Sequence, residues 1–74
     1  MSTMYVLSNR GDTEMRWDPS DPSSVARARS AFDEYRRARY LAFVTTAGDG
    51  QAIHVGDFDP KADEIVLARP LSGG

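Results

Sequence analysis

Two groups of residues in this 74-residue sequence could do chemistry. His54 is the only histidine, and four carboxylates follow it closely: Asp57, Asp59, Asp63 and Glu64. A histidine near carboxylates can serve general acid–base catalysis, and clustered carboxylates are the ligands that hard cations prefer. The second group is the C-terminal Gly73-Gly74 pair, which carries no Cβ and would allow a partner's backbone to approach closely.

The first group is better explained by a structural role. The sequence has no cysteine, which excludes disulfides, thiolate zinc sites and a Cys–His nucleophile pair. No strained nucleophile motif accompanies His54. The calcium-loop pattern needs alternating ligands, a central glycine and a distal glutamate, and residues 57–64 do not meet it. We expect an exposed or structural His54, a solvated acidic turn, no metal and no catalytic residue in this chain.

The charge and hydropathy of the sequence exclude further classes of function. Nine basic and eleven acidic residues give a net charge of −2, which is not the basic excess of a nucleic-acid binder. No run approaches the roughly 18 apolar residues of a membrane span, and the N-terminus lacks a secretion signal pattern. We therefore expect a cytoplasmic protein without nucleic-acid or membrane partners.

Five segments have the composition or alternation of β-strands: Met4–Leu7, Thr13–Trp17, Tyr40–Thr46, Gln51–Phe58 and Glu64–Ala68. Turn residues at Asn9–Asp12 and Ala47–Gly50 separate two pairs of these segments, which predicts two hairpins. The last segment is apolar at successive positions, a pattern typical of a strand buried on both faces. We expect it at the centre of the sheet beside the first strand, a parallel pairing that requires a long crossover.

One helix is predicted between the second and third strands. Asp21 supplies a capping carboxylate and Pro22 suits the first helical turn. Residues 23–39 contain no glycine or proline, and one helical stripe is apolar: Val25, Ala28, Phe32 and Tyr35. The predicted fold class is α+β, with one helix packed across a mixed sheet in the order β-β-α-β-β-β. Residues 1–68 form the domain, and residues 69–74 form an exposed, flexible tail.

This element order, together with the C-terminal sequence, resembles the β-grasp fold of ubiquitin-like proteins. The resemblance is greatest to prokaryotic sulfur carriers, such as the small subunit of molybdopterin synthase and the thiamine-pathway sulfur carrier. Those proteins end with an acidic turn, a buried strand, one or two prolines, an apolar residue and Gly-Gly. The matching stretch runs from Asp63 to Gly74, and the rest of the chain agrees in element order and size.

The resemblance implies a carrier or modifier that is not itself an enzyme. In such a family an E1-like enzyme uses ATP to adenylate the C-terminal glycine, which is then thiocarboxylated or transferred as a thioester to a target amine. Gly74 and Gly73 would carry this chemistry, with no bound cofactor. Pro70 would stiffen the tail, Leu71 would enter an apolar pocket and Arg69 would pair with an acidic group. The implied partners are the adenylating enzyme and a sulfur acceptor or target protein.

Two other functions remain open from the residues alone. The chain could be a small binding or assembly module, such as a phage or operon-encoded accessory subunit, that makes no use of its tail. It could also be an enzyme subunit that contributes His54 and nearby carboxylates to a shared site. Deleting Gly73 and Gly74 would abolish function only in a carrier or modifier.

Overall fold

One helix packs on a five-stranded mixed sheet in the computed structural model, which describes residues 1–8, 11–45 and 51–69. The elements in chain order are β1 (Ser2–Ser8), β2 (Gly11–Trp17), α1 (Pro22–Arg37), β3 (Leu41–Thr45), β4 (Ala52–Val55) and β5 (Glu64–Ala68). The predicted element order and the α+β class are confirmed. Of the predicted turns, residues 9, 10 and 47–50 lie outside the described residues, whereas Gly11 and Asp12, expected in the first turn, already belong to β2.

The strands lie side by side in the order β2-β1-β5-β3-β4. β1 and β5 are parallel, in a register that pairs Thr3 with Glu64 and Leu7 with Ala68. The other neighbouring strands are antiparallel. The last strand is therefore central and beside the first, as its apolar sequence predicts, and the intervening chain with α1 provides the crossover.

The core lies between α1 and one face of the sheet. Alternate residues of the three inner strands point to this side and are buried: Met4, Val6, Ala42, Val44, Ile65 and Leu67. Ala28 and Phe32 of α1 cover them, as the helical stripe predicts. On the opposite side of β5, Val66 and Ala68 are only half-buried, so the prediction of burial on both faces is wrong for one face. No described residue provides a second layer on that side.

The ends of α1 follow from local chemistry. The Asp21 carboxylate accepts a hydrogen bond from the Ser23 backbone N–H at 3.2 Å, which confirms the predicted cap. The helix ends at Arg37, two residues before the predicted end. The reason is Arg39, whose φ of 70° lies in the left-handed region and turns the chain towards β3.

An aromatic cluster ties the connection between β4 and β5 to the rest of the core. The Phe58 ring lies 5.2 Å from that of Trp17 and 5.6 Å from that of Phe32, measured between centroids. The buried Trp17 indole N–H donates to the Pro60 carbonyl at 3.0 Å. The predicted strand to Phe58 therefore ends earlier, at Val55, because Phe58 leaves the sheet to pack on the tryptophan.

Two isoleucines test this description of the core. Ile65 is 0% exposed and Ile53 is 57% exposed, although both face the helix side of the sheet. We expect Ile65→Ala to lower the free energy of unfolding by about 2–5 kcal/mol, because it leaves a cavity in the core. Ile53→Ala should cost less than about 1 kcal/mol. Urea unfolding followed by circular dichroism measures both; equal losses would contradict the packing.

The turn from β2 into α1 is organised by Asp18. Its carboxylate accepts hydrogen bonds from the Ser20 hydroxyl at 2.7 Å and the Ser20 backbone N–H at 2.9 Å. Its own backbone N–H donates to the Ser24 hydroxyl at 2.9 Å. The hydroxyl bond, and secondarily the backbone bond, hold the pKa of Asp18 below its usual range.

This lowered pKa predicts how stability changes with pH. The folded state binds the Asp18 proton less tightly than the unfolded chain does, so the interaction stabilises the fold above about pH 4 and is lost as the pH falls through the folded-state pKa. We expect Asp18→Asn to reduce stability at pH 7 and to change it much less at pH 2. Thermal unfolding at both pH values measures this, with Asp57→Asn as an exposed control. An equal loss at both pH values would contradict the assignment.

Candidate functional site

The tail that the resemblance singles out begins at the end of the central strand. β5 ends at Ala68, which lies in register between Leu7 of β1 and Leu41 of β3. Arg69 follows and is exposed. The other predicted tail residues lie outside the described residues: Pro70, Leu71, Gly73 and Gly74. The chain therefore approaches its tail from the middle of one end of the sheet, with strands on both sides.

The face of the sheet opposite α1, which we call the open face, has an apolar strip along the three inner strands. Its members are Tyr5, Leu7, Leu41, Phe43, Val66 and Ala68. Val66 lies between Tyr5 and Phe43 in register, so the strip is continuous across β1, β5 and β3. Leu7 is 40% exposed. This strip reaches the end of the sheet from which Arg69 emerges.

Polar residues border the strip on the outer strands. On β4, the His54 ring lies 5.5 Å from the Phe43 ring between centroids. On β2, the open face carries Asp12, Glu14 and Arg16, and Arg16 Nε contacts Glu14 Oε1 at 2.8 Å. An apolar centre with a mixed-charge border is typical of a protein-binding surface. It differs from the uniformly basic surface that nucleic-acid phosphates require.

The structure does not bring His54 together with the carboxylates that follow it in sequence. Glu64 lies on β5, with β3 between it and β4, and its Oε1 accepts a hydrogen bond from the Thr45 hydroxyl at 3.0 Å. The Asp59 carboxylate accepts the backbone N–H two residues later at 3.0 Å, as in a simple turn. Within residues 1–8, 11–45 and 51–69, no three histidines or carboxylates are placed to hold a metal ion.

Two helix arginines have structural contacts that the sequence does not reveal. Arg36 Nη1 donates to the Tyr40 carbonyl at 2.8 Å and joins the end of α1 to the start of β3. The Arg29 guanidinium lies 5.7 Å from the centroid of the Phe58 ring, a cation–π contact. The Arg29 contact has no local signal in the sequence because Phe58 comes from much later in the chain, whereas Tyr40 follows Arg36 by four residues.

A shallow depression of about 380 Å³ lies on the outer surface of α1. Its described lining comes from six residues: Pro22, Val25, Ala26, Arg29, Ser30 and Asp33. Because one helix supplies all of these residues, the depression is open to solvent and does not form a cleft that would exclude water from a reaction. The open face and the start of the tail are therefore the stronger candidate site.

No helix among the described residues is long and apolar enough to cross a membrane. Comparisons with protein-family models, with curated proteins and with solved structures gave no match to this chain. Its function is therefore inferred from its own residues and their geometry.

Proposed function

We propose that the chain is a β-grasp, ubiquitin-like sulfur carrier or protein modifier that acts through Gly74. The observation that carries this proposal is the position of β5, which lies at the centre of the sheet, parallel to β1, and leads directly into the tail. The order β2-β1-β5-β3-β4 with one helix on one face is the arrangement expected of a β-grasp domain. The C-terminal sequence adds the acidic turn, proline and Gly-Gly of that family.

The proposed reaction needs a tail that reaches into a partner enzyme while the domain stays outside. The Gly74 carboxylate attacks the α-phosphorus of ATP and pyrophosphate leaves, giving an acyl adenylate. Sulfide-level sulfur from a donor then displaces AMP and leaves a thiocarboxylate. In a modifier, a partner's thiol displaces AMP to form a thioester, and a target amine then displaces that thiol to form an amide. Gly73 and Gly74 allow the close backbone approach that a narrow channel requires. Pairing of β5 on both sides fixes the stem from which the tail starts.

The open face supplies the second requirement, a surface by which the partner holds the domain. The apolar strip reaches the tail end of the sheet at Leu7, Leu41 and Ala68. A partner that covers the strip would therefore stand next to the emerging tail. Exposed Arg69 could pair with an acidic group of that partner. In this proposal the protein works in the cytoplasm, where the adenylating enzyme has ATP.

The absence of cysteine makes tail chemistry directly measurable. We expect incubation with ATP and host extract, followed by a thiol alkylator, to give an adduct that tandem mass spectrometry places on Gly74. The reason is that a C-terminal thiocarboxylate would be the only thiol-like group in a chain without cysteine. The chain lacking Gly73 and Gly74 should show no adduct, and His54→Ala should retain it.

Each other outcome of this experiment has a definite meaning. A higher-mass conjugate through Gly74, without an alkylated species, would identify a modifier. An unmodified Gly74 carboxylate, in an extract shown to activate a known carrier, would refute tail chemistry. Loss of an activity in His54→Ala, with the tail dispensable, would favour an enzyme subunit.

The role of the open face can be tested separately. We expect Phe43→Ser to lower the rate of ATP-dependent modification of Gly74 about tenfold, because a central apolar contact of an interface is lost. Ala26→Ser, which also introduces a serine but on the exposed side of α1, should have no effect. Circular dichroism confirms that both variants fold. Equal rates for the two variants would exclude the open face as the docking surface.

A binding module without tail chemistry is the second candidate, and the open face is the observation that favours it. An apolar strip with a polar border can hold a partner whether or not the tail is activated. In that case, Phe43→Ser would weaken binding while deletion of Gly73 and Gly74 would leave it intact.

A further inference from the structure

The two outer strands of the sheet differ in how they are protected against pairing with another strand. β2 carries Asp12, Glu14 and Arg16, and charged side chains are a common protection of sheet edges. β4 has the sequence Ala-Ile-His-Val, with no charged residue and no proline. An edge strand presents backbone N–H and C=O groups that a further strand can bind. Of the two edges in the described part of the chain, β4 is the less protected.

The first three residues of β4, Ala52 to His54, are exposed, and only Val55 packs against the core. On the helix side of the sheet, Ile65, Val44 and Ile53 form one row across β5, β3 and β4. The exposed fraction rises along this row, from 0% for Ile65 to 7% for Val44 and 57% for Ile53. α1 packs towards β2, which is the edge strand opposite β4. On β4 the core therefore reaches only Val55, which is half-buried, and Ile53 offers an apolar surface beside an unprotected edge.

We propose that β4 pairs antiparallel with β4 of a second copy of this chain, forming a dimer with a continuous ten-stranded sheet. A twofold axis perpendicular to the sheet relates the copies and places both helices on one side. Residues directly opposite each other in antiparallel strands lie on the same face. Ile53 therefore meets Ile53 or Val55 of the second copy, and either pairing covers its exposed side chain.

A second copy fits this edge better than a flexible peptide does. The edge is neutral and apolar, so its complement is neutral and apolar, and β4 itself has that character. Two preformed strands pair without the cost of ordering a flexible segment. Self-pairing also brings no like charges together, because β4 has none. This inference is independent of the tail chemistry proposed above.

The short length of β4 limits the affinity of the dimer. Four residues from each copy give an interface below the size of stable complexes. We expect a dissociation constant on the order of 0.1 mM, so that the dimer forms at high local concentration and dissociates on dilution.

Sedimentation equilibrium of the full chain between 10 µM and 1 mM tests the proposal. We expect a reversible monomer–dimer equilibrium in the natural chain. Ile53→Lys should weaken it at least tenfold, because in either register it places a charge from each copy in the apolar pairing, opposite or diagonal to its equivalent. Thr13→Lys is the matched control, since Thr13 is an exposed residue on the helix side of the other edge strand. It should leave the equilibrium unchanged.

Amide chemical shifts of the natural chain provide a second measurement that needs no variant. With rising concentration, the shifts should move first at residues 52–55. A monomer at 1 mM would overturn the proposal, as would a dimer that Thr13→Lys disrupts and Ile53→Lys does not. Concentration-dependent shifts confined to the open face would also overturn it, because they would place the contact on that face and not on the edge.

Discussion

The parallel pairing of β1 with β5 is the constraint on which the rest of this structure depends. It joins the first and last strands of the chain as parallel neighbours, so the chain between them must include a crossover on one face of the sheet. The helix performs part of that crossover and at the same time covers Ile65 and Leu67, the buried residues of β5. The same pairing gives β5 a neighbour on each side, which holds the start of the tail at the middle of the sheet.

A single helix cannot cover both sides of five strands, and this shortage of covering surface explains the remaining features. A chain of this size buries a smaller fraction of its surface than larger domains do. Here the covered region runs from Trp17 across to Val44 and, at its border, Val55. Two surfaces are left: the open face and the β4 edge. Both surfaces are apolar in their centres. The two proposals for partners and self-association arise from the same incomplete layer.

The parts of the fold that local signals specify were predictable. Asp21 and Pro22 mark the helix start by hydrogen bonding and φ preference, and the apolar run of β5 indicates a central strand. The departure of Phe58 from the sheet was not predictable, because its reason is a contact with Trp17 far away in the chain. The early helix end was also hidden, since Arg39 takes a left-handed conformation that usually signals glycine.

The candidate site shows the same division. The open face follows from alternation along each strand, but its continuity depends on the order of the strands, which no local pattern gives. Separation of His54 from Glu64 has the same origin, because β3 lies between their strands. The tail residues after Arg69 were identified from sequence alone and lie outside the described residues. The resemblance and the geometry therefore support different parts of the functional proposal.

The contact of Trp17 with Phe58 and Pro60 gives the molecule a built-in optical reporter. Trp17 is the only tryptophan, it is 1% exposed, and its indole joins the hairpin to the connection between β4 and β5. Its fluorescence reports the assembly of that junction. The indole also lies on the helix side of the sheet, away from the open face, so a partner bound there would leave its emission nearly unchanged. Loss of the blue-shifted emission would thus signal opening of the core and not occupancy of the surface.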